Sequence, residues 1–174
     1  MPAKKTENVV SISSWTKKTD TVRVDMSTWG YSSEKEFERI RMPQDAIDAI
    51  ETLKAWREKE SGDIKVLNMS ELTPLANILD FELEKGMPLW YHLNVAMFER
   101  ELNQYLERID EDYYDLVIFE YLYGLNNFYP FEVREKLQEK YDLQFSFQAP
   151  REYKFEVIEV YQPKHAETKI SELD

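Results

Sequence analysis

The chain contains no cysteine among its 174 residues. That absence removes disulfides, thiolate zinc sites, iron–sulfur ligation and a cysteine nucleophile together, and it suits a reducing compartment. Glycine is nearly as scarce. Gly30, Gly62, Gly86 and Gly124 stand alone, so neither GxGxxG nor GxxxxGK[ST] occurs and the usual backbone cradles for nucleotide phosphates are missing. HExxH and GxSxG are absent as well. The densest apolar run, Leu116, Val117, Ile118 and Phe119, falls far short of the roughly 20 residues of a membrane span, and residues 1–20 lack the apolar core of an export signal. A cytoplasmic chain with no membrane span and no cofactor is the expectation.

Histidine is limited to His92 and His165. His92 and Glu99 lie two helical turns apart, and neither has a ligand partner at i+3 or i+4 on the same face, so no metal site is expected.

Acidic charge and rings are what the chain has in quantity. The formal net charge is -12, yet residues 1–24 carry Lys4, Lys5, Lys17, Lys18 and Arg23 against only Glu7 and Asp20. A basic tail therefore precedes a body more acidic than the total suggests. Such a body repels phosphate backbones, which disfavours generic nucleic-acid binding; it keeps the protein in solution, and it leaves open a basic protein partner or mimicry of a nucleic acid. Hydrophobic residues make up 43% and aromatics 14%, too much apolar surface for a disordered chain. The length suits one domain, read as residues 21–163 between flexible tails at 1–20 and 164–174.

Within that body, Val22, Val24 and Met26 alternate with Arg23 and Asp25, the period of a strand over 21–26. A loop through Gly30 follows, and 37–42 reads as a returning strand. Ala46, Ile47, Ala49, Ile50, Leu53 and Trp56 recur at three and four and predict a helix over 44–60 that ends at Gly62. A short strand at 63–69 and a helix from Ser70 to Leu79, with Ser70 as N-cap, come next. Leu93, Met97, Leu102, Tyr105, Leu106 and Ile109 share a face of a helix over 91–109. The unbroken run in 115–121 reads as a central strand covered on both faces. A loop at 124–130, a helix over 131–141 and two alternating runs, 143–147 and 153–161, complete the chain, the last two as an antiparallel hairpin. The fold class is α/β: one domain, a mixed sheet with parallel middle strands, covering helices and a C-terminal antiparallel hairpin.

In open α/β sheets ligands gather beyond the carboxyl ends of parallel strands. Two loops qualify, one with Asn68, Ser70, Glu71 and Thr73, the other running from Glu120 to Tyr129. Amides and rings suit a polar ligand, which gives Asn68, Tyr123, Asn126, Asn127 and Tyr129 a binding role. Glu120 at a strand end is a candidate general base, with His92 or Glu71 assisting. Each also has a plain structural reading: Asn126 and Asn127 as turn formers, the tyrosines as caps on the core, Glu120 as a salt-bridged strand end, Glu71 as a helix-dipole anion, and His92 as a cap near a helix start. Trp29, with Gly30 and Tyr31, is a candidate contact surface. The functional expectation is a binding or accessory domain for a small polar ligand or a protein partner, the alternatives being a transferase or hydrolase using Glu120, or an acidic nucleic-acid mimic.

Overall fold

The computed structural model describes residues 23–88, 91–122, 129–152, 156–166 and 169–172. Helix α1 (Gln44–Lys59) forms where the apolar spacing demands it, burying Ala46, Ile47, Ala49, Ile50, Leu53 and Trp56. Arg57 finishes its C-terminal end by donating to the carbonyls of Glu60, Gly62 and Leu79. Gly62 takes φ 84, the left-handed conformation in which a side chain would be strained.

Four strands build the main sheet: β3 (Val66–Met69), β4 (Leu116–Tyr121), β5 (Tyr141–Gln148) and β6 (Val157–Pro163), in the order β3-β4-β6-β5. The β3–β4 pair is parallel, while β4–β6 and β6–β5 are antiparallel. Strand alternation sorts the side chains onto two faces. Val66, Leu116, Ile118, Ile158, Val160 and Phe147 meet α1 and the leucines Leu72, Leu75 and Leu79. On the other face Leu67, Met69, Val117, Phe119 and Tyr161 meet α3 (Glu99–Asp110) and α4 (Phe131–Lys140). The result is a mixed α/β sandwich with helices on both sides of the sheet.

Several elements differ from the sequence reading, each for a local reason. Residues 23–26 are not a ladder strand; Asp25 instead caps a 3-10 turn, Met26–Thr28, through Ser27. The returning strand exists as β2 (Arg41–Met42), but its antiparallel partner is β1 (Gly30–Tyr31), and Arg41 steadies the ribbon by donating to the carbonyls of Met26 and Trp29. The helix expected from Ser70 shrinks to α2 (Leu75–Ile78), because Pro74 supplies a start with φ already near helical and Ser70 closes a turn with Asn68.

The helix expected from 91 begins only at Glu99. Asn94 adopts φ 60, and the amides of Val95, Ala96 and Met97 all converge on the His92 carbonyl in a tight loop that plugs Met97 into the core. Glu101 then accepts from the Phe98 amide and starts α3.

In β5 a bulge between Leu143 and Phe145 breaks the simple alternation. One extra residue flips the face. Leu143 is therefore left exposed while Phe145 and Phe147 turn to the α1 side. The end of the chain, expected to be loose, is tied down over 169–172: Ile170 is buried in the α1-side core, its amide donates to Gln162, and Lys169 pairs with Asp142. His165, placed in that loose end, sits beside Asp112 at 3.6 Å.

Candidate functional site

The parallel register, Val66↔Leu116 through Met69↔Phe119, brings the carboxyl ends of β3 and β4 together. Tyr121 and Gln148 both pair with Val157, so the β5–β6 connection arrives at the same end. Loop 91–98 adds Tyr91 and His92. Around this point lies a cavity of about 310 Å³ lined by Met69, Ser70, Glu71, Thr73, Tyr91, His92, Glu120, Leu122 and Tyr129.

Glu120 shares the α1-side face of β4 with Leu116 and Ile118 and is only 2% exposed. A carboxylate at that depth needs partners. Its Oε2 accepts from the Glu71 amide at 2.9 Å, and its Oε1 accepts from Arg151 Nε. The same guanidinium reaches out through Nη2 to Glu71 Oε1 at 2.9 Å. Burial pulls the Arg151 pKa down, but the hydrogen bond and charge of Glu120, with Glu71 behind it, outweigh this and leave it raised.

The turn after β3 is held by its own side chains. Asn68 Oδ1 accepts from the Ser70 amide and hydroxyl, and its Nδ2 donates to the Leu72 carbonyl. The Asn68 amide is thus engaged within the turn and does not line the cavity. Two phenols anchor the strand end from outside: Tyr91 donates to the Asn68 carbonyl and Tyr129 to that of Met69, both at 2.7 Å. Burial, then the charge of Glu120, pushes the Tyr129 phenol well above its ordinary value, and burial, then Glu84, does the same to Tyr91. Both hydroxyls stay protonated donors, and their rings form cavity wall.

Of the residues singled out from the sequence, Glu71, His92, Glu120 and Tyr129 line this one cavity. Tyr123, Asn126 and Asn127 lie outside the described residues. Sequence reasoning missed Arg151; the one available signal was a lone arginine in the connection between the alternating runs 143–147 and 153–161. Among the described residues no group of three or more histidines, aspartates or glutamates comes together to hold a metal ion, and no helix is long and apolar enough to cross a membrane.

A larger hollow of about 510 Å³ opens at the opposite end of β3, lined by Asp63, Lys65, Asp80, Glu84 and Tyr113 among others. Two of its charged groups are engaged nearby: Lys65 lies over the Tyr113 ring at 4.0 Å, and Glu84 pairs with Arg108 at 2.6 Å. The strand-end cavity, where a buried carboxylate meets hydroxyls, an imidazole and rings, is the better ligand site. No family model, curated protein or solved structure matches this chain.

Proposed function

We propose that this protein is a binding domain that takes up a small polar ligand at the carboxyl ends of β3 and β4. The observation that carries the reading is the convergence of Ser70, Glu71, Thr73, His92 and Glu120 with the Tyr91 and Tyr129 rings around one cavity. Its volume lies near the lower end of ligand pockets, about 300 Å³ and up, and its mixture of apolar wall with a few polar groups is what such pockets use. Binding is favoured over chemistry because both oxygens of Glu120 already accept hydrogen bonds. Two of that carboxylate's lone-pair directions are thereby taken up by structural partners.

Thermal unfolding with a panel of sugars, nucleosides, amino acids and amines tests this. A ligand at a hundred times its Kd adds about 2.7 kcal/mol of stability, a shift of several degrees. Thr73→Trp, which fills the cavity from an exposed position, should abolish the shift while leaving the unliganded protein folded. A shift that survives Thr73→Trp would move the ligand elsewhere, and a panel without any shift would sink the reading. Turnover of a hit compound, lost in Glu120→Gln, would transfer the site to the transferase or hydrolase reading.

A further inference from the structure

We infer, on the basis of the ligand-binding reading above, that the cavity selects an organic cation: a primary ammonium group attached to a compact apolar or aromatic body. Four observations point this way. Among the described residues that line the cavity there are two carboxylates, Glu71 and Glu120, and neither a lysine nor an arginine. Arg151 does not line it and is turned toward those same two carboxylates. The Glu71 side chain, though paired with Arg151, is 75% exposed and open to an incoming partner.

The wall complements a cation as well. The Tyr91 and Tyr129 hydroxyls donate to the Asn68 and Met69 carbonyls, so what they offer a ligand is ring surface, whose π electrons attract ammonium groups. Met69 and Leu122 supply apolar contact for the remainder of the molecule. The hydroxyls of Ser70 and Thr73 add acceptors beside the carboxylates. Over longer range, a chain of formal charge -12 enriches cations and depletes anions at its surface. A carboxylate or phosphate ligand would meet the opposite: it would have to displace Glu71 from Arg151 while approaching the buried charge of Glu120.

Three probes of one shape separate charge from size: benzylammonium, benzyl alcohol and benzoate. Each is titrated into the full chain at about pH 8, above the range in which histidine ordinarily titrates, and followed by amide chemical shifts in NMR spectra. Benzylammonium should bind about tenfold more tightly than benzyl alcohol, the ratio a single charge-assisted hydrogen bond provides, with shifts centred on residues 69–73 and 91–92. Benzoate should bind weakest. Glu71→Gln, exposed and so compatible with folding, should bring benzylammonium and benzyl alcohol close to parity.

Equal binding of the amine and the alcohol, or tighter binding of benzoate, would overturn the cation assignment yet keep the cavity as a ligand site. Benzylammonium that retains its advantage in Glu71→Gln would also overturn it. Absence of shifts at the cavity with all three probes would remove both this assignment and the reading on which it rests.

Discussion

The two faces of the sheet are built from different chemistry. On the α1 side the core is aliphatic and phenylalanine-rich, and among the described residues no tyrosine stands among its buried members. On the α3–α4 side Tyr105, Tyr114, Tyr129, Tyr141 and Tyr161 are buried together. Their hydroxyls form polar ties inside the core: Tyr141 donates to the Tyr114 carbonyl and accepts from the Tyr114 amide, Tyr161 donates to Glu159, and Tyr114 to Glu84. The α1 face packs mainly by shape, its buried polar groups Glu120 and Gln162 standing at strand ends, while the other adds phenol hydrogen bonds within the core.

Among the described residues each face also holds one buried carboxylate, on neighbouring strands. Glu159, on the tyrosine side, is gripped bidentately by Arg134 at 2.8 and 2.6 Å and again by Tyr161. Glu120, on the aliphatic side, has one arginine contact, one backbone amide and a cavity beside it. The first is a closed structural pair. The second keeps an approach for another molecule. The contrast teaches that burial of a charge does not by itself mark a functional site; what surrounds the remaining directions does.

High pH should break the comparison most severely. Burial raises the phenols of Tyr91, Tyr105, Tyr114, Tyr129, Tyr141 and Tyr161 above the ordinary value of 10.0. Because the unfolded chain then releases these protons first, their contribution to stability is complete below about pH 10 and falls as pH climbs through and beyond that value. Tyrosinate absorbance should therefore rise together with loss of circular dichroism; ionisation of these phenols in a chain that keeps its fold would show that the tyrosine face tolerates charge.

Breaking the two ion pairs gives the next largest effects. Arg134→Ala leaves Glu159 buried without its fork and should cost about 3–5 kcal/mol in urea unfolding, part of it recovered by adding Glu159→Gln. Arg151→Ala should cost less, about 1–3 kcal/mol, since Glu120 keeps the Glu71 amide and has a cavity that water can enter. Equal costs would mean that the cavity offers Glu120 no relief. The smallest effect belongs to the outer surface of the tyrosine side, where Lys136 and Lys140 hold the Asp110 carboxyl below its ordinary 3.8 and join α3 to α4. That contribution is present above about pH 4 and lost as pH falls below it. Asp110→Asn should thus be slightly less stable than the parent at neutral pH and indistinguishable from it in acid, as read by thermal melts at the two pH values.

What was legible in the sequence follows the range of the interactions involved. The α1 stripe and the run ending at Glu120 are set by periodicity over a few residues, and both elements form where that pattern puts them. The strand-end rule put Glu71, Glu120 and Tyr129 in two neighbouring loops, and His92 reaches the same cavity from loop 91–98. Arg151 escaped because it lies 31 residues beyond Glu120 and becomes its neighbour only through the strand order, β6 beside β4, which no local pattern encodes. Loop 91–98 escaped for the opposite reason. Its apolar spacing fits a helix, but Asn94 is free to take a positive φ, and Glu101 offers a better starting point further on.

The bulge in β5 has a consequence beyond the face it switches. β5 is an outer strand, and a straight, unpaired strand of its length would invite another chain to add itself to the sheet. The extra residue interrupts the regular row of donors and acceptors midway, and the side chain of Gln144 is occupied in holding Ser171, with Lys169 locked onto Asp142 close by. The last described turn of the protein thereby acts as a bumper. It makes growth by strand addition there unfavourable, this edge being guarded by residues 169–171.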